Sequence, residues 1–499
     1  MNFTQETIEA LRGSYAQNGN VPEAALLAHG LQKAWVAPTG AVTGINAYNL
    51  EAPAKRLYPV LTPLRNKTPR VGTVGGTQAN WRAITGINTS NMDIGVSDGN
   101  RGGVMAQTEV DYTAVFRELG MENYFTWAAQ YAAEGFQDLP AETTLELLQG
   151  LMIAEEKVLL WGQGTWPFSQ TPQPVLSAGS GGTFSNSTIV VYCVAMNAAG
   201  YARSSVASGI VQSITRTNID GSVDTYGGGS AQVSPSQSIT LSAGTSTQSI
   251  TATVTAVPGA AAYAWFWGVS GSVLLGAVTT VNTVLITAAA TGTQNITSLD
   301  TASDHSQNSL VFDGLVIQAA KAGSNAYYKS FDGGTLTGNG DGTIREIDAA
   351  LQSFWDNYRL SPTTIWVNSQ EEKNMRSKIL LGSSNAAQRF VFETQQDRLV
   401  GGTMAISYHN PFQMSGKAKE IPIEIHPNMP PGTIFFETDV LPYPLSNVTN
   451  VARLLLRYDY VQIAWPMLKR RREHGIYFDG VLQHYFPPAI GLIQNIANG

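Results

Sequence analysis

Charged residues are scarce in this 499-residue chain. Asp, Glu, Lys and Arg together make up 13% of it, whereas about 25% is usual for globular domains. From Thr225 to Leu299 there is none of them. The net charge of −7 argues against a protein whose main task is to grip nucleic acid, because that task needs clustered Lys and Arg to displace counterions.

Cysteine is represented by Cys193 alone. A single cysteine excludes an intrachain disulfide and a cysteine-based zinc site, and it fits assembly in a reducing cytoplasm. Cys193 lies in the strand-like run IVVYCVAM. This setting favours a small buried side chain over a reactive thiol.

The sequence also lacks the patterns of a signal peptide and of a membrane span. The first segment, MNFTQETIEALRGSY, has neither a basic n-region nor an apolar h-region. The uncharged stretch from Ala256 to Val278 contains Pro258, and Tyr263, Trp265 and Trp267 stand at every second position. A period of two is typical of a strand, so we predict sheet there and no contact with a membrane.

We find no catalytic constellation. The six histidines form no i, i+4 pair and no HExxH motif. The segment GNGDGTIREID resembles a calcium loop at Asn339 and Asp341, but Thr337 and Asp348 stand where a carboxylate and a bidentate Glu are needed. We therefore expect a Gly-rich turn before a helix, no metal, no cofactor and no enzymatic activity.

One long periodic helix stands out, from Leu139 to Gly162. Pro140 suits a first helical turn, and Gly162 suits the end of the helix. Apolar residues at spacings of three and four predict one continuous apolar face: Leu147, Leu151, Ala154, Val158 and Trp161. We interpret the adjacent Glu155 and Glu156 as a solvated face, or as partners for an Arg of another subunit.

Strand patterns dominate the rest of the chain. Residues 78–118 predict a hairpin with a long polar tip, which has too little apolar surface to be stable alone. It is either an ordinary surface hairpin or an arm that pairs with another subunit. The uncharged region predicts an inserted antiparallel β-domain over 168–305. The surrounding body mixes helices and strands, with a capping box expected at Ser369 and Glu372.

A single basic run occurs, made of Lys469, Arg470, Arg471 and Arg472. It could face packaged nucleic acid, or acidic residues across an interface between subunits. An equally good interpretation is a solvated turn between two strands.

The order of these parts resembles the major capsid protein of tailed double-stranded DNA bacteriophages, which has the Hong Kong 97-type fold. Three stretches carry the resemblance: VDYTAVFRELGMENYFTWAAQYAAEGFQD leading into EEKVLLWG, DGGTLTGNGDGTIREIDAALQSFWDNYRLSPTTIWVNSQE, and RLLLRYDYVQIAWPMLKRRREHGIYFDG. The resemblance implies an α+β fold with an N-terminal arm, an extended loop, a spine helix, and peripheral and axial domains. The strand motifs AVPGAAAYAWFWG and YCVAMNAAGYARSS resemble fibronectin type III or immunoglobulin-like modules.

The resemblance also implies boundaries for the parts. The order is an arm and the start of the peripheral domain (1–78), the extended β-hairpin loop (79–119), the peripheral domain (120–167) with its spine helix (140–161), the inserted immunoglobulin-like β-domain (168–305), a return to the peripheral domain (306–340), the axial domain (341–450), and C-terminal peripheral strands (451–499). Some relatives cross-link their subunits through Lys and Asn. Lys67 lies near a suitable place, but the sequence does not specify the other groups that this chemistry needs.

The function implied is structural. The chain would assemble with itself into hexamers and pentamers of an icosahedral shell around phage DNA, in the host cytoplasm, and would end in the virion capsid. A scaffolding protein and a portal are expected partners, a decoration protein is a further candidate, and packaged double-stranded DNA would be contacted without sequence specificity. The alternatives are a secreted carbohydrate-active enzyme or binding protein with an accessory β-sandwich, and a nanocompartment shell protein of the same fold.

Overall fold

The computed structural model describes residues 57–73, 75–87, 94–134, 137–242, 247–339, 342–381, 407–412 and 420–499. The expected N-terminal arm therefore lies largely outside the described residues. The chain divides into two units, 1–58 with 133–138 and 59–132 with 139–499. In the first unit, the Gln137 N–H donates to the Ala133 carbonyl oxygen at 2.9 Å. The elements of the second unit carry the candidate site.

The described residues form seven α-helices and twenty-one strands. The helices are α1 Pro63–Lys67, α2 Trp127–Ala133, α3 Leu139–Trp161, α4 Ala198–Arg203, α5 Leu315–Ala320, α6 Arg345–Tyr358 and α7 Ser369–Leu381. The strands are β1 Arg70–Gly72, β2 Gln78–Ile87, β3 Gln107–Val115, β4 Arg117–Thr126, β5 Val175–Phe184, β6 Ser187–Met196, β7 Ser213–Thr217, β8 Val223–Gly227, β9 Gln237–Leu241, β10 Gln248–Thr253, β11 Ala262–Val269, β12 Ser272–Thr279, β13 Thr283–Ile286, β14 Tyr327–Ser330, β15 Thr364–Val367, β16 Ser407–His409, β17 Glu420–Ile425, β18 Ile434–Glu437, β19 Ala452–Ala464, β20 Arg471–His484 and β21 Gly491–Gln494. The mixture confirms the predicted α+β class.

The long helix α3 packs on a four-stranded sheet. The strand order is β1-β19-β20-β4, and β19 and β20 are the two longest strands of the described chain. Leu147, Leu151 and Leu159 of the helix share one buried core with Leu454 and Phe478 of the sheet. The helix thus has the extent that the periodicity predicts, and burial of its apolar face holds it on the sheet.

A second sheet has six strands, in the order β14-β21-β18-β15-β17-β16, and packs against helix α6. Helix α6 buries Ile347, Leu351 and Phe354 in the same core as Val367 and Phe436 of that sheet. Strands β14 and β21 lie outside the expected axial range of 341–450 but belong to this sheet, where they pair in parallel. The expected domain limits therefore do not coincide with the edges of the sheet.

The strands between residues 175 and 286, most of them in or next to the uncharged region, form two facing antiparallel sheets. One has the order β13-β10-β5 and the other β12-β11-β6-β9, and a separate hairpin pairs β7 with β8. Ile250 and Ile286 of the first sheet share a core with Cys193 and Trp265 of the second. The predicted antiparallel sandwich is present, and Cys193 is fully buried in it, as the sequence indicates. Its kinship with immunoglobulin or fibronectin modules stays a prediction.

The expected capping box at the start of α7 is wrong. The residue that caps the helix is Asn368, whose Oδ1 accepts the Gln370 N–H at 2.9 Å and whose carbonyl oxygen accepts the Glu372 N–H at 3.0 Å. The helix begins one residue earlier than the Ser369 pattern implies, because an Asn side chain caps equally well from that position.

Candidate assembly surfaces

Strands β2 and β3 form a two-stranded ribbon that begins at the four-stranded sheet. Directly opposite residues lie on the same face of an antiparallel pair. One face of the ribbon carries Trp81 opposite Tyr112 and Ala83 opposite Val110, and the other carries Arg82 opposite Asp111. The ribbon is therefore amphipathic, with one apolar and one polar face.

The apolar face continues beyond the part that the body covers. At the base, Ala79 is buried and Trp81 packs against the core that contains α3. Further along, Val110 is 38% exposed, and Ile94 and Val104 in the connecting segment are 82% and 98% exposed. Two-stranded ribbons are marginal in water by themselves. This ribbon thus presents apolar surface and free strand edges that a second surface could cover.

A second apolar patch, here called the tip cluster, lies where the turn between β19 and β20 meets α2. It consists of large exposed side chains: Trp127, Tyr131, Trp465, Met467 and Leu468. The indole Nε1–H of Trp127 donates to the Met467 sulfur at 3.4 Å, and the rings of Trp127 and Tyr131 lie edge to face with their centres 6.4 Å apart. Apolar clusters of this kind on a surface mark sites of protein association.

The predicted basic run borders the tip cluster. Lys469 and Arg470 are exposed in the turn, whereas Arg471 and Arg472 begin β20. The Arg471 guanidinium pairs with Glu473 and lies 4.6 Å from the ring centre of Tyr124. The run is thus half in the turn and half in β20, and whether it is a solvated face or meets DNA or a neighbouring subunit stays a prediction.

A charged cluster below the surface, here called the clamp, ties the short α1 segment to the spine helix α3. Glu156 accepts the N–H groups of Leu64 at 2.9 Å and of Arg65 at 2.6 Å, and thereby caps the first turn of α1. The His426 Nε2 lies 2.6 Å from the same carboxylate. Since the His426 Nδ1 accepts the Asn428 N–H, the ring proton is on Nε2 and points to Glu156.

The neighbouring Glu155 completes the clamp. Its carboxylate meets Arg65 at 3.1 Å and also pairs with Arg70 and the Tyr460 hydroxyl. Burial lowers the pKa of Arg70, but Asp459 and Glu155 outweigh it, so the pKa lies above its ordinary value. The interpretation of Glu155 and Glu156 as a solvated face is wrong. Both are fully buried, and their partners lie in the same chain.

Lys67 extends the clamp to the six-stranded sheet. Its Nζ lies 2.9 Å from Glu437, 3.0 Å from Asp439 and 2.8 Å from the Thr364 hydroxyl. Burial raises the pKa of Glu437 above its ordinary value, although Lys67 opposes this shift. The clamp therefore joins the helix layer and the six-stranded sheet through one five-residue helix.

Sequence reasoning missed the clamp because its partners are far apart in the chain. Arg65 and Glu155 are separated by 90 residues, and Lys67 and Glu437 by 370. The sequence resemblance points to Lys67 by its position alone, and no local signal identifies its carboxylate partners. Within the described residues, no three His, Cys, Asp or Glu side chains cluster as a metal site. Nor is any described helix both long and apolar enough to cross a membrane.

No family model matches the chain, and no curated protein matches it. Among solved structures, it is similar to the capsid of a native GTA particle at 10% identity, with a TM-score of 0.41 over 91% of this chain and 96% of that one. It is similar to the capsid of the Myoviridae phage XM1 at 8% identity (TM-score 0.39, 92% and 100% covered). It is also similar to a structure of Microbacterium phage Oxtober96 at 8% identity, with a TM-score of 0.40 over 95% of this chain and 99% of that one. With TM-scores below 0.5, these likenesses decide nothing by themselves.

Proposed function

We propose that this chain is a major capsid protein with the Hong Kong 97-type fold, which assembles into the icosahedral shell of a tailed double-stranded DNA phage. The observation that carries the proposal is the ribbon of β2 and β3, whose apolar face runs past the body that supports its base. Such a surface is stable when a neighbouring copy covers it.

The order of the parts supports the same proposal. The ribbon precedes the long helix α3, the sandwich follows it, and the chain then builds the six-stranded sheet before β19 and β20 return to the sheet under α3. This is the order that the sequence resemblance implies. The four-stranded sheet with α3 corresponds to the peripheral domain, and the six-stranded sheet corresponds to the axial domain at the centres of hexamers and pentamers.

The partners follow from that role. The subunits contact one another through the ribbon and the tip cluster, and many modest contacts in a closed symmetric network hold the shell together. The role is structural and needs no catalytic site. A scaffolding protein, a portal and the packaged DNA are the other partners, with the basic run of Lys469, Arg470, Arg471 and Arg472 as the candidate surface for DNA or for a neighbouring subunit.

A charge placed on the apolar face of the ribbon tests the proposal. We expect Val110→Asp to abolish assembly, because an unpaired carboxylate in an interface between subunits costs several kcal/mol. The monomer should stay folded, since Val110 is already 38% exposed. Sedimentation velocity separates shells and capsomers from monomers, and circular dichroism reports folding.

The matched control is Asn80→Asp, which adds the same charge to the polar face of the same ribbon, opposite Thr113. We expect this variant to assemble like the wild type. Equal assembly by the two variants would contradict the role given to the apolar face.

A further inference from the structure

The base of the ribbon encloses a cavity of about 460 Å³. Its walls come from the ribbon, from the end of β20, and from α5 with the turn that follows it. This volume lies in the range of small-molecule sites, which is roughly 300–1,000 Å³. The cavity is separate from the clamp and from the tip cluster.

One side of the cavity is aromatic. Trp81 and Tyr112 stack with their ring centres 5.6 Å apart and their planes inclined by 21°. Phe312, Leu482 and Pro487 add further apolar wall. A flat apolar body fits such a wall, because stacked and edge-on ring contacts favour it over a flexible chain.

Two polar groups of the lining have no hydrogen-bond partner among the residues that the structure describes. His484 is 2% exposed, and neither of its ring nitrogens is paired. The Nε1–H of Trp81 is likewise buried and unpaired. Buried polar groups are nearly always paired, and leaving one unpaired costs about 1–3 kcal/mol. A neutral imidazole and an indole each offer an N–H, so both can bind an acceptor oxygen.

The charges around the cavity favour an anion. Arg117 and Lys321 line it, and Asp313 is the one carboxylate among its lining residues. The Asp313 carboxylate already accepts the N–H groups of Gly164 at 2.8 Å and Thr165 at 2.9 Å, together with the Thr165 hydroxyl. Lys321 lies 3.8 Å from it. Two positively charged residues therefore face one carboxylate, which already accepts hydrogen bonds from the protein.

We propose that this cavity binds a small planar organic anion, with its flat body against Trp81 and Tyr112 and its acid oxygens on the N–H groups of Trp81 and His484. A bound molecule would touch the ribbon and the body at once. It would therefore fix the angle at which the ribbon leaves the sheet.

Isothermal titration of the full chain with 1-naphthoate tests the proposal. We expect saturable binding with one site per chain, and about tenfold weaker binding to Trp81→Phe and to His484→Leu, since each variant removes one N–H donor. The neutral analogue 1-methylnaphthalene, in which a methyl group replaces the carboxylate, should bind the wild type at least tenfold more weakly than 1-naphthoate. Absence of saturable binding up to millimolar concentration, or equal affinity of both variants and the wild type, would overturn the proposal.

Two further variants keep the test independent of folding. Lys321→Gln changes an exposed part of the rim and should weaken binding about threefold, whereas Trp465→Phe, in the tip cluster, should leave it unchanged. Binding should also persist in assembled particles. If free subunits bind 1-naphthoate and particles do not, a neighbouring subunit fills the cavity and the assignment to a small anion is wrong.

Discussion

At the scale of single residues, the chain keeps several ionisable groups in its interior despite its low content of charge. Glu155, Glu156 and Glu437 are all buried, and each has a cationic or N–H partner from a distant part of the sequence. Buried charges are tolerated when they are paired in this way. These three carboxylates therefore help to hold the layers together, although charged residues are scarce in the chain.

We expect Glu155→Gln to lower the free energy of unfolding by about 3 kcal/mol, because it leaves Arg65 and Arg70 close together without their common carboxylate. Urea unfolding of the unassembled chain, followed by circular dichroism, measures the change. Glu146→Gln is the matched control on the same helix, since Glu146 is exposed. An equal effect of the two substitutions would show that the clamp adds nothing to stability.

His484 should make the stability depend on pH. Burial lowers its pKa from 6.5 to about 3. Between these values the unfolded chain binds a proton that the folded chain does not, so the free energy of unfolding falls as the pH falls from 6.5 toward 3. The contribution of this one residue is up to about 1.4 kcal/mol per pH unit.

Urea unfolding of the wild type and of His484→Leu at pH 7, 6 and 5 checks this dependence. The difference in unfolding free energy between wild type and variant should shrink, or reverse in favour of the variant, as the pH falls. The exposed His409 provides the control, because His409→Leu should follow the wild type at every pH. Parallel curves for wild type and His484→Leu would contradict the account.

At the scale of elements, the sequence predicted what local patterns determine. The bounds of α3, the two strands of the ribbon and the alternating strands of the sandwich follow from periodicity and turn residues. The pairing of β14 with β21 was not predictable in this way. Their residues lie more than 160 positions apart in the sequence, and four-residue strands such as YYKS and GLIQ carry no local signal that identifies their partner.

Gly150 inside α3 and Gly162 directly after its last residue should respond oppositely to substitution by alanine. A Cβ on Gly162 would lie 2.2 Å from the Phe312 carbonyl oxygen, whereas one on Gly150 would meet nothing closer than the Met121 sulfur at 3.8 Å. We expect Gly162→Ala to destabilise the chain by about 2 kcal/mol through this clash. Gly150→Ala should stabilise it by about 0.5–1 kcal/mol, because alanine favours a helix interior.

Thermal and urea unfolding of each variant and of the wild type show whether the free energy of unfolding rises or falls. If Gly162→Ala left the free energy of unfolding unchanged, the residue after α3 would not lie as close to the Phe312 carbonyl as the structure has it. Each variant serves as the control for the other, since both make the same chemical change in the same helix or at its end.

At the scale of the whole molecule, the sandwich is fastened to the body by buried polar contacts. Gln494 in the last strand accepts the Gly259 N–H at 2.9 Å and donates to the Ala260 carbonyl oxygen at 3.0 Å, and Ile317 of α5 shares the core of the sandwich. The sequence predicts an inserted β-domain over 168–305, and these limits stay a prediction. It could not indicate these contacts, because they depend on how β21 is placed.

The central claim is that the chain builds a closed shell, and electron microscopy of negatively stained samples tests it most directly. The full chain should be expressed alone and together with a candidate scaffolding protein. We predict closed shells, or rings of five and six subunits, with Val110→Asp remaining monomeric under the same conditions. A wild-type chain that stays a monomer under every condition, including with the scaffolding protein, would contradict the account.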